Sequence, residues 1–372
     1  MWSRLKTLDL ALLVIPLLLV GIGIAVIYSI TITNPESDLA ARQGWFLLAG
    51  LFLYAFFTLV DYRSLRAWSW VIYAATISLL IMVRFAGEVV YGSRRWIDLG
   101  FFQPQPSEFA KIAVIVILAR LLGDWINRPR GRQLLIGLVL LVLPVLFILD
   151  QPDLGSAIAV FSAGAGVLLL SGLSRKQWLA VGASLLLALV IAFGSWKQIG
   201  PLGGLLKDYQ RQRVETWLNP QADASGSGYN VLQALIAIGS GGVLGQGLGY
   251  GSQSQLNFLP VAHTDFLFAA LAESWGFLGT TAVVVLYWLL LWRLIAAARV
   301  ARDGFSKLLC LGAAVLFFVQ VTVNIGMNLA LLPVTGITLP LMSYGGSSLL
   351  TMLALLGMVQ SVVIREKRLN FS

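Results

Sequence analysis

The 372 residues include one cysteine, Cys310, and one histidine, His263. A single thiol excludes an intrachain disulfide, and with one imidazole neither a Cys-based zinc site nor a multi-His metal centre can be built. Charge is scarce as well. Only 12% of residues are charged against 58% apolar, whereas a soluble domain carries about 25% charged residues, so a water-soluble enzyme is not expected. The balance is basic, with 26 Lys+Arg against 17 Asp+Glu and a net charge of +9. Nucleic-acid binding needs such cations gathered on one wet face, and here they are scattered between long apolar runs. No GxxxxGK[ST] phosphate loop is present, which argues against nucleotide-driven transport by this chain alone. What the chain has in quantity is membrane-length hydrophobic sequence.

A membrane helix needs about 20 mostly apolar residues, and ten runs serve as candidates: 10–32, 45–60, 67–83, 109–123, 134–149, 154–171, 178–196, 265–292, 308–332 and 345–364. The fourth is the weakest, being short and carrying Lys111 and Arg120. The expected fold is an all-α polytopic membrane protein, one integral membrane domain over residues 1–372, with a long outer loop at about 197–264 between spans 7 and 8. Loop charges orient it. Ten spans place 16 cations and 5 acids on one side and 8 cations and 11 acids on the other, a net +11 against −3. By the positive-inside rule both termini are then cytoplasmic. The first run, 23 uncharged residues, exceeds the roughly 7–15 of a signal-peptide core and is expected to stay in the membrane.

Spans 4, 6, 8 and 10 begin on the outer face, where helix N-termini present unpaired N–H groups and the positive end of the dipole. Each start is polar. Span 4 opens Gln105-Pro106-Ser107-Glu108 with Lys111 on the same face as Glu108; span 6 opens Gln151-Pro152-Asp153-Leu154-Gly155. Span 8 opens His263-Thr264-Asp265-Phe266, and span 10 opens Ser343-Tyr344-Gly345-Gly346-Ser347-Ser348, a candidate anion-binding nest. Asp, Ser and Thr are also ordinary helix caps, and that use weighs as much as a functional one for Asp153 and Ser347. Asp265 and His263 tilt the other way, standing together at a membrane mouth. Glu273, two turns into span 8, is expected to face a cavity or a partner, as intramembrane acids do. On the same outer side lie Arg94, Arg95 and Trp96, suited to lipid headgroups or a pyrophosphate. Residues 239–251 hold seven glycines in 13 positions; with no βαβ unit around them they are expected to be a flexible surface loop, preceded by an apolar stretch at 229–238 suited to a short re-entrant helix.

These motifs, with Arg95-Trp96-Ile97 and Pro340-Leu341-Met342 ahead of the span 10 start, resemble the SEDS family (shape, elongation, division, sporulation), over almost the whole chain. The short N-terminal tail and the overall length look more like its RodA branch than its FtsW branch. The resemblance implies a peptidoglycan glycosyltransferase that polymerises lipid II at the outer face of the cytoplasmic (inner) membrane during elongation, beside a class B penicillin-binding protein. It carries the catalytic position onto Asp265, the expected general base. It places Arg94, Arg95, Trp96, Glu108, Lys111, Asp153, His263, Glu273, Ser343, Gly345, Gly346 and Ser347 around the substrate, with Arg94 or Arg95 and Lys111 on the departing pyrophosphate. The metal requirement stays open, a divalent cation such as Mg being the candidate. Two departures from the family pattern are Val261-Ala262 before His263 and Ser274 after Glu273, where many relatives carry glutamate at one position of each. The rival readings are a flippase or transporter of a lipid-linked precursor and a non-catalytic scaffold for a penicillin-binding protein.

Overall fold

Each of the ten expected spans coincides with an α-helix in the computed structural model, which describes residues 8–32, 38–90, 93–98, 100, 103–126, 131–199, 208–222, 226–256, 258–259 and 261–368. The chain runs α1 (Ala11–Thr31), α2 (Leu39–Leu59), α3 (Tyr62–Ala86), a hairpin of β1 (Glu88–Val90) and β2 (Ser93–Trp96), α4 (Pro106–Gly123), α5 (Gly131–Asp150), α6 (Leu154–Leu170) and α7 (Arg175–Trp196). Three short helices follow, α8 (Asp208–Leu218), α9 (Ser227–Gly241) and α10 (Ser252–Gln255). The last three are long: α11 (Leu267–Val300), α12 (Gly304–Asn328) and α13 (Gly346–Arg368). Among the described residues, seven helices are long and apolar enough to cross a membrane: α1, α2, α3, α5, α11, α12 and α13. The apolar α6 has 17 residues.

Side-chain caps set several starts. Asp61, Asp153 and Asp303 each accept a backbone N–H of the helix they precede, and Ser174 forms a capping box with Gln177 at α7. Pro16 and Pro144 sit inside α1 and α5, as membrane helices tolerate where neighbours satisfy the freed carbonyl.

The weakest expected span proves the most enclosed. Nearly every residue of α4 is buried, and it packs on α3, α6 and α12. Its charges are tolerated because Lys111 Nζ meets Glu108 Oε1 at 2.6 Å with both side chains buried, so neither faces lipid. Helix α13 is the other central element, buried throughout 351–364 and packed along α2.

Helix α11 is broken at Gly276, whose φ of 65° lies in the left-handed region that favours glycine. The glycine-rich run fills the break. Phe277 N and Leu278 N donate to Gly242 O and Val243 O at 2.9 and 3.1 Å, while Gln246 N and Gly247 N donate to Glu273 O and Ser274 O at 2.9 and 3.0 Å. A Cβ on Gly245 would lie 2.3 Å from Ser274 O, and one on Gly241 2.0 Å from Ala272 O. The expected flexible loop is therefore a packed plug, in which Gly241 and Gly245 allow backbone-to-backbone approach. The apolar stretch ahead of it is helical, as α9.

Candidate active site

Asp265 stands two residues before α11, half-buried, and its backbone is held from several directions. Two asparagines one turn apart on α12, both fully buried, donate to its carbonyl: Asn324 Nδ2 at 3.0 Å and Asn328 Nδ2 at 3.1 Å. Asn324 Nδ2 also reaches Ile337 O at 2.8 Å, and Asn328 Oδ1 accepts Ala269 N at 3.1 Å. The segment before α13 completes the frame. Ser343 Oγ donates to Thr264 O and accepts Leu339 N at 2.9 Å, and Tyr344 N donates to His263 O at 2.8 Å. Gln43 on α2 ties in this segment by donating to Ser343 O at 3.1 Å and accepting from Gly345 N at 3.3 Å. Val261 and Leu341, which flank the frame, have φ of 53° and 72°. Left-handed backbone at such residues costs about 1–3 kcal/mol each and persists only where the surroundings impose it.

The carboxylate lies over Gly336, where a Cβ would sit 3.6 Å from Oδ2. Burial pushes its pKa above the usual range, and Asp153 adds to the rise; the Thr264 hydroxyl, Arg213 and Arg95 oppose it. Burial holds His263 below its usual value, so at neutral pH it is an uncharged ring packed edge-on against Tyr344 at 5.8 Å. It frames the aspartate and brings no charge.

Arg213 did not stand out in the sequence. It lies in the polar α8, which docks beside the 329–345 segment through Arg213 Nη1 to Val334 O at 3.0 Å and Trp217 Nε1 to Ala330 O at 3.1 Å. Burial, then repulsion from Arg95, lowers the Arg213 pKa, against attraction by Asp265, Tyr209 and Asp153. The cluster is thus two arginines and two aspartates. The hairpin explains why one expected arginine belongs to it and the other does not. Successive strand residues point to opposite faces: Arg95 turns inward and donates to Gln151 O at 3.1 Å and to Pro152 O, whereas Arg94 is exposed, 3.5 Å from Arg84 O. Trp96 is half-buried beside it. Asp153 caps α6 through Ser156 N at 3.0 Å and accepts Gln105 Nε2 at 2.9 Å.

The remaining expected residues form a second polar layer between α4, α6 and α13. Thr351 Oγ1 donates to Glu108 Oε2 at 3.3 Å, beside the Lys111 pair. Ser347 Oγ accepts Gln105 N at 3.1 Å and donates to Gln103 O at 3.3 Å, and Gly346 lies against the Phe46 ring. Lys111 is therefore spent on Glu108. Glu273 is fully buried and accepts Gln253 N and Ser254 N at 2.7 and 3.1 Å. It anchors α10 and the plug, so the partner expected of this intramembrane acid is backbone.

The FtsW/RodA/SpoVE family, described as cell cycle protein, matches residues 4–368. The chain is 39% identical to the peptidoglycan glycosyltransferase MrdB of Escherichia coli, covering 100% of this chain and 97% of that one, and 35% identical to stage V sporulation protein E of Bacillus subtilis, covering 97% and 98%. A structure described as "Structural coordination of polymerization and crosslinking by a peptidoglycan synthase complex" superposes with a TM-score of 0.80 at 32% identity, covering 96% and 98% of the two chains. The crystal structure of the rod shape determining protein RodA of Thermus thermophilus superposes with a TM-score of 0.69 at 31% identity, covering 96% of each. The fold and the sequence thus define a multi-pass membrane enzyme of the peptidoglycan glycosyltransferase class. The chain belongs to the FtsW/RodA/SpoVE family.

Proposed function

We propose that this chain polymerises lipid II into glycan strands at the outer face of the cytoplasmic membrane, in rod-shape elongation, with a class B penicillin-binding protein as its crosslinking partner. The observation that carries the reading is Asp265: a carboxylate of raised pKa, fixed by its backbone and flanked by Arg213 and Arg95. A base for a sugar hydroxyl needs a proton affinity above that of a free carboxylate yet must be ionised at working pH. Burial supplies the first, and the two guanidiniums restrain it.

Asp265 takes the proton of the acceptor hydroxyl as its oxygen forms a bond to the anomeric carbon of a second lipid-linked disaccharide. The bond from that carbon to the diphosphate oxygen breaks, and the electron pair leaves with the lipid diphosphate. Arg213 and Arg95 hold the charge that develops there. Arg213 takes the part first expected of Lys111, which Glu108 neutralises. Among the described residues no group of three carboxylate, His or Cys side chains converges, and no step is assigned to a metal. The likeness to the synthase complex supports the partner. Transport fits less well, because the Arg and Asp cluster gathers at one end of the bundle and a translocation site sits near its middle.

In vesicles containing the chain and its transpeptidase, Asp265→Asn should abolish glycan polymer from lipid II. A raised carboxyl pKa means that the ionised form costs stability, so this variant should unfold at the same or a higher temperature than the parent at neutral pH. Normal polymer from Asp265→Asn would sink the mechanism.

A further inference from the structure

At the end of the bundle opposite Asp265, a recess of about 230 Å³ opens between the start of α3 and the end of α4, lined by Arg66, Trp70, Ile117, Arg120, Leu121 and Asp124. Its charges are unevenly matched. Asp124, which caps α4, takes Arg66 in a two-pronged pair at 2.7 and 2.9 Å. Arg120 stands one turn before Asp124 on the same face, yet its hydrogen bond goes to Arg66 O, and among the described residues it has no carboxylate partner. A half-buried guanidinium in a membrane helix pairs with an acid or with backbone carbonyls, and a carbonyl partner such as Arg66 O leaves its charge unneutralised. The recess leaves space beside Arg120 for an anion.

The rest of the lining says what would fill the space. Trp70, 47% exposed, lies one turn deeper than Arg66, about 6 Å further into the bilayer at 1.5 Å per residue. With Ile117, one turn deeper than Arg120 on α4, and with Leu121 it makes the apolar side of the recess. One molecule that meets both requirements carries a phosphodiester at headgroup depth and an acyl chain beneath it. We infer that this recess binds the headgroup of an anionic glycerophospholipid, with Arg120 and Arg66 on the phosphodiester and Trp70 against the upper acyl chain. Basic pockets between membrane helices take such headgroups on general electrostatic grounds. Asp124 is the opposing element, since it repels the phosphate and occupies Arg66. The site is independent of the reaction assigned to Asp265.

The test is thermal unfolding of the full-length chain in a neutral detergent, titrated with short-chain phosphatidylglycerol, phosphatidylcholine or inorganic phosphate. Phosphatidylglycerol should raise the midpoint more than phosphatidylcholine. Arg120→Gln should erase that difference, and Asp124→Asn should enlarge it, while Asp208→Asn, an exposed acid outside the recess, leaves it unchanged. Should Arg120→Gln not fold, Leu121→Trp fills the recess without altering charge and should erase the preference by itself. Equal stabilisation by the two lipids, a preference that survives Arg120→Gln or Leu121→Trp, or the same shift from inorganic phosphate alone would each overturn the proposal.

Discussion

Replacing Asn328 by leucine isolates the hold on Asp265, the proposed base, because leucine branches at the same carbon and leaves little cavity. The side chain lost is fully buried and makes three bonds of 3.1 Å or shorter: to Asp265 O, to Asn324 O and from Ala269 N. No backbone group at the site is orphaned. Asp265 O keeps Asn324 Nδ2 at 3.0 Å, and Ala269 N keeps Phe266 O at 3.1 Å. At about 0.6–1.5 kcal/mol for each of the three bonds, the stability loss should be about 2–4 kcal/mol. Adding Asn324→Leu removes the last side-chain donor to Asp265 O and strands Ile337 O as well. Each buried orphan costs about 1–3 kcal/mol, so the double variant should lose more than the two singles together. The rate should respond differently. A displacement of about 1 Å at a reacting group costs on the order of 100-fold, so Asn328→Leu should slow polymerisation by about 10- to 100-fold while its unfolding midpoint falls by only about 3–5 °C. Lipid II turnover, measured beside unfolding on one preparation, makes the comparison. A rate that falls only as far as the folded fraction falls would refute a positioning role.

Two further outcomes follow from the same geometry. The polymerisation rate should rise with pH as Asp265 loses its proton; the Arg213 charge lowers that pKa, so Arg213→Gln should move the acid limb to higher pH, and a lower plateau with an unmoved limb would count against it. Gly245→Ala should destabilise by several kcal/mol, since its φ of 81° disfavours any side chain and the new Cβ would fall 2.3 Å from Ser274 O. A parent-like unfolding midpoint in that variant would show that the plug is looser than its hydrogen bonds require.

Most of the architecture was legible because lipid imposes one requirement, a long apolar run with its backbone bonds closed internally. The ends were less so. The expected span 308–332 overran α12 by four residues, since Leu329–Leu332 are as apolar as the helix but belong to the segment that frames Asp265. Asp265 itself was visible from its motif. Arg213 was hidden in a stretch whose polarity reads as ordinary solvated helix, and only its docking onto Val334 brings it near the aspartate. The asparagines did carry a signal: two amides four residues apart inside an apolar span mark a buried face that must be hydrogen-bonded. The partners of Glu273 and of the glycine run were hidden for one reason. Each is satisfied by backbone distant in sequence, and side-chain pattern does not encode such partners.

The parts that surround Asp265 come from across the chain: Arg95 on β2, Asp153 before α6, Arg213 on α8, Asn324 and Asn328 on α12, and the 336–345 segment. The plug at 241–251 is made before the broken helix that seats it. During synthesis, then, no N-terminal piece emerging into the membrane holds a working centre, however many of its helices are already in place. The base acquires its hold only when the last two helices arrive. An enzyme that builds on the cell's load-bearing wall is in this way kept inert until its biogenesis is complete, by the order in which the chain is written.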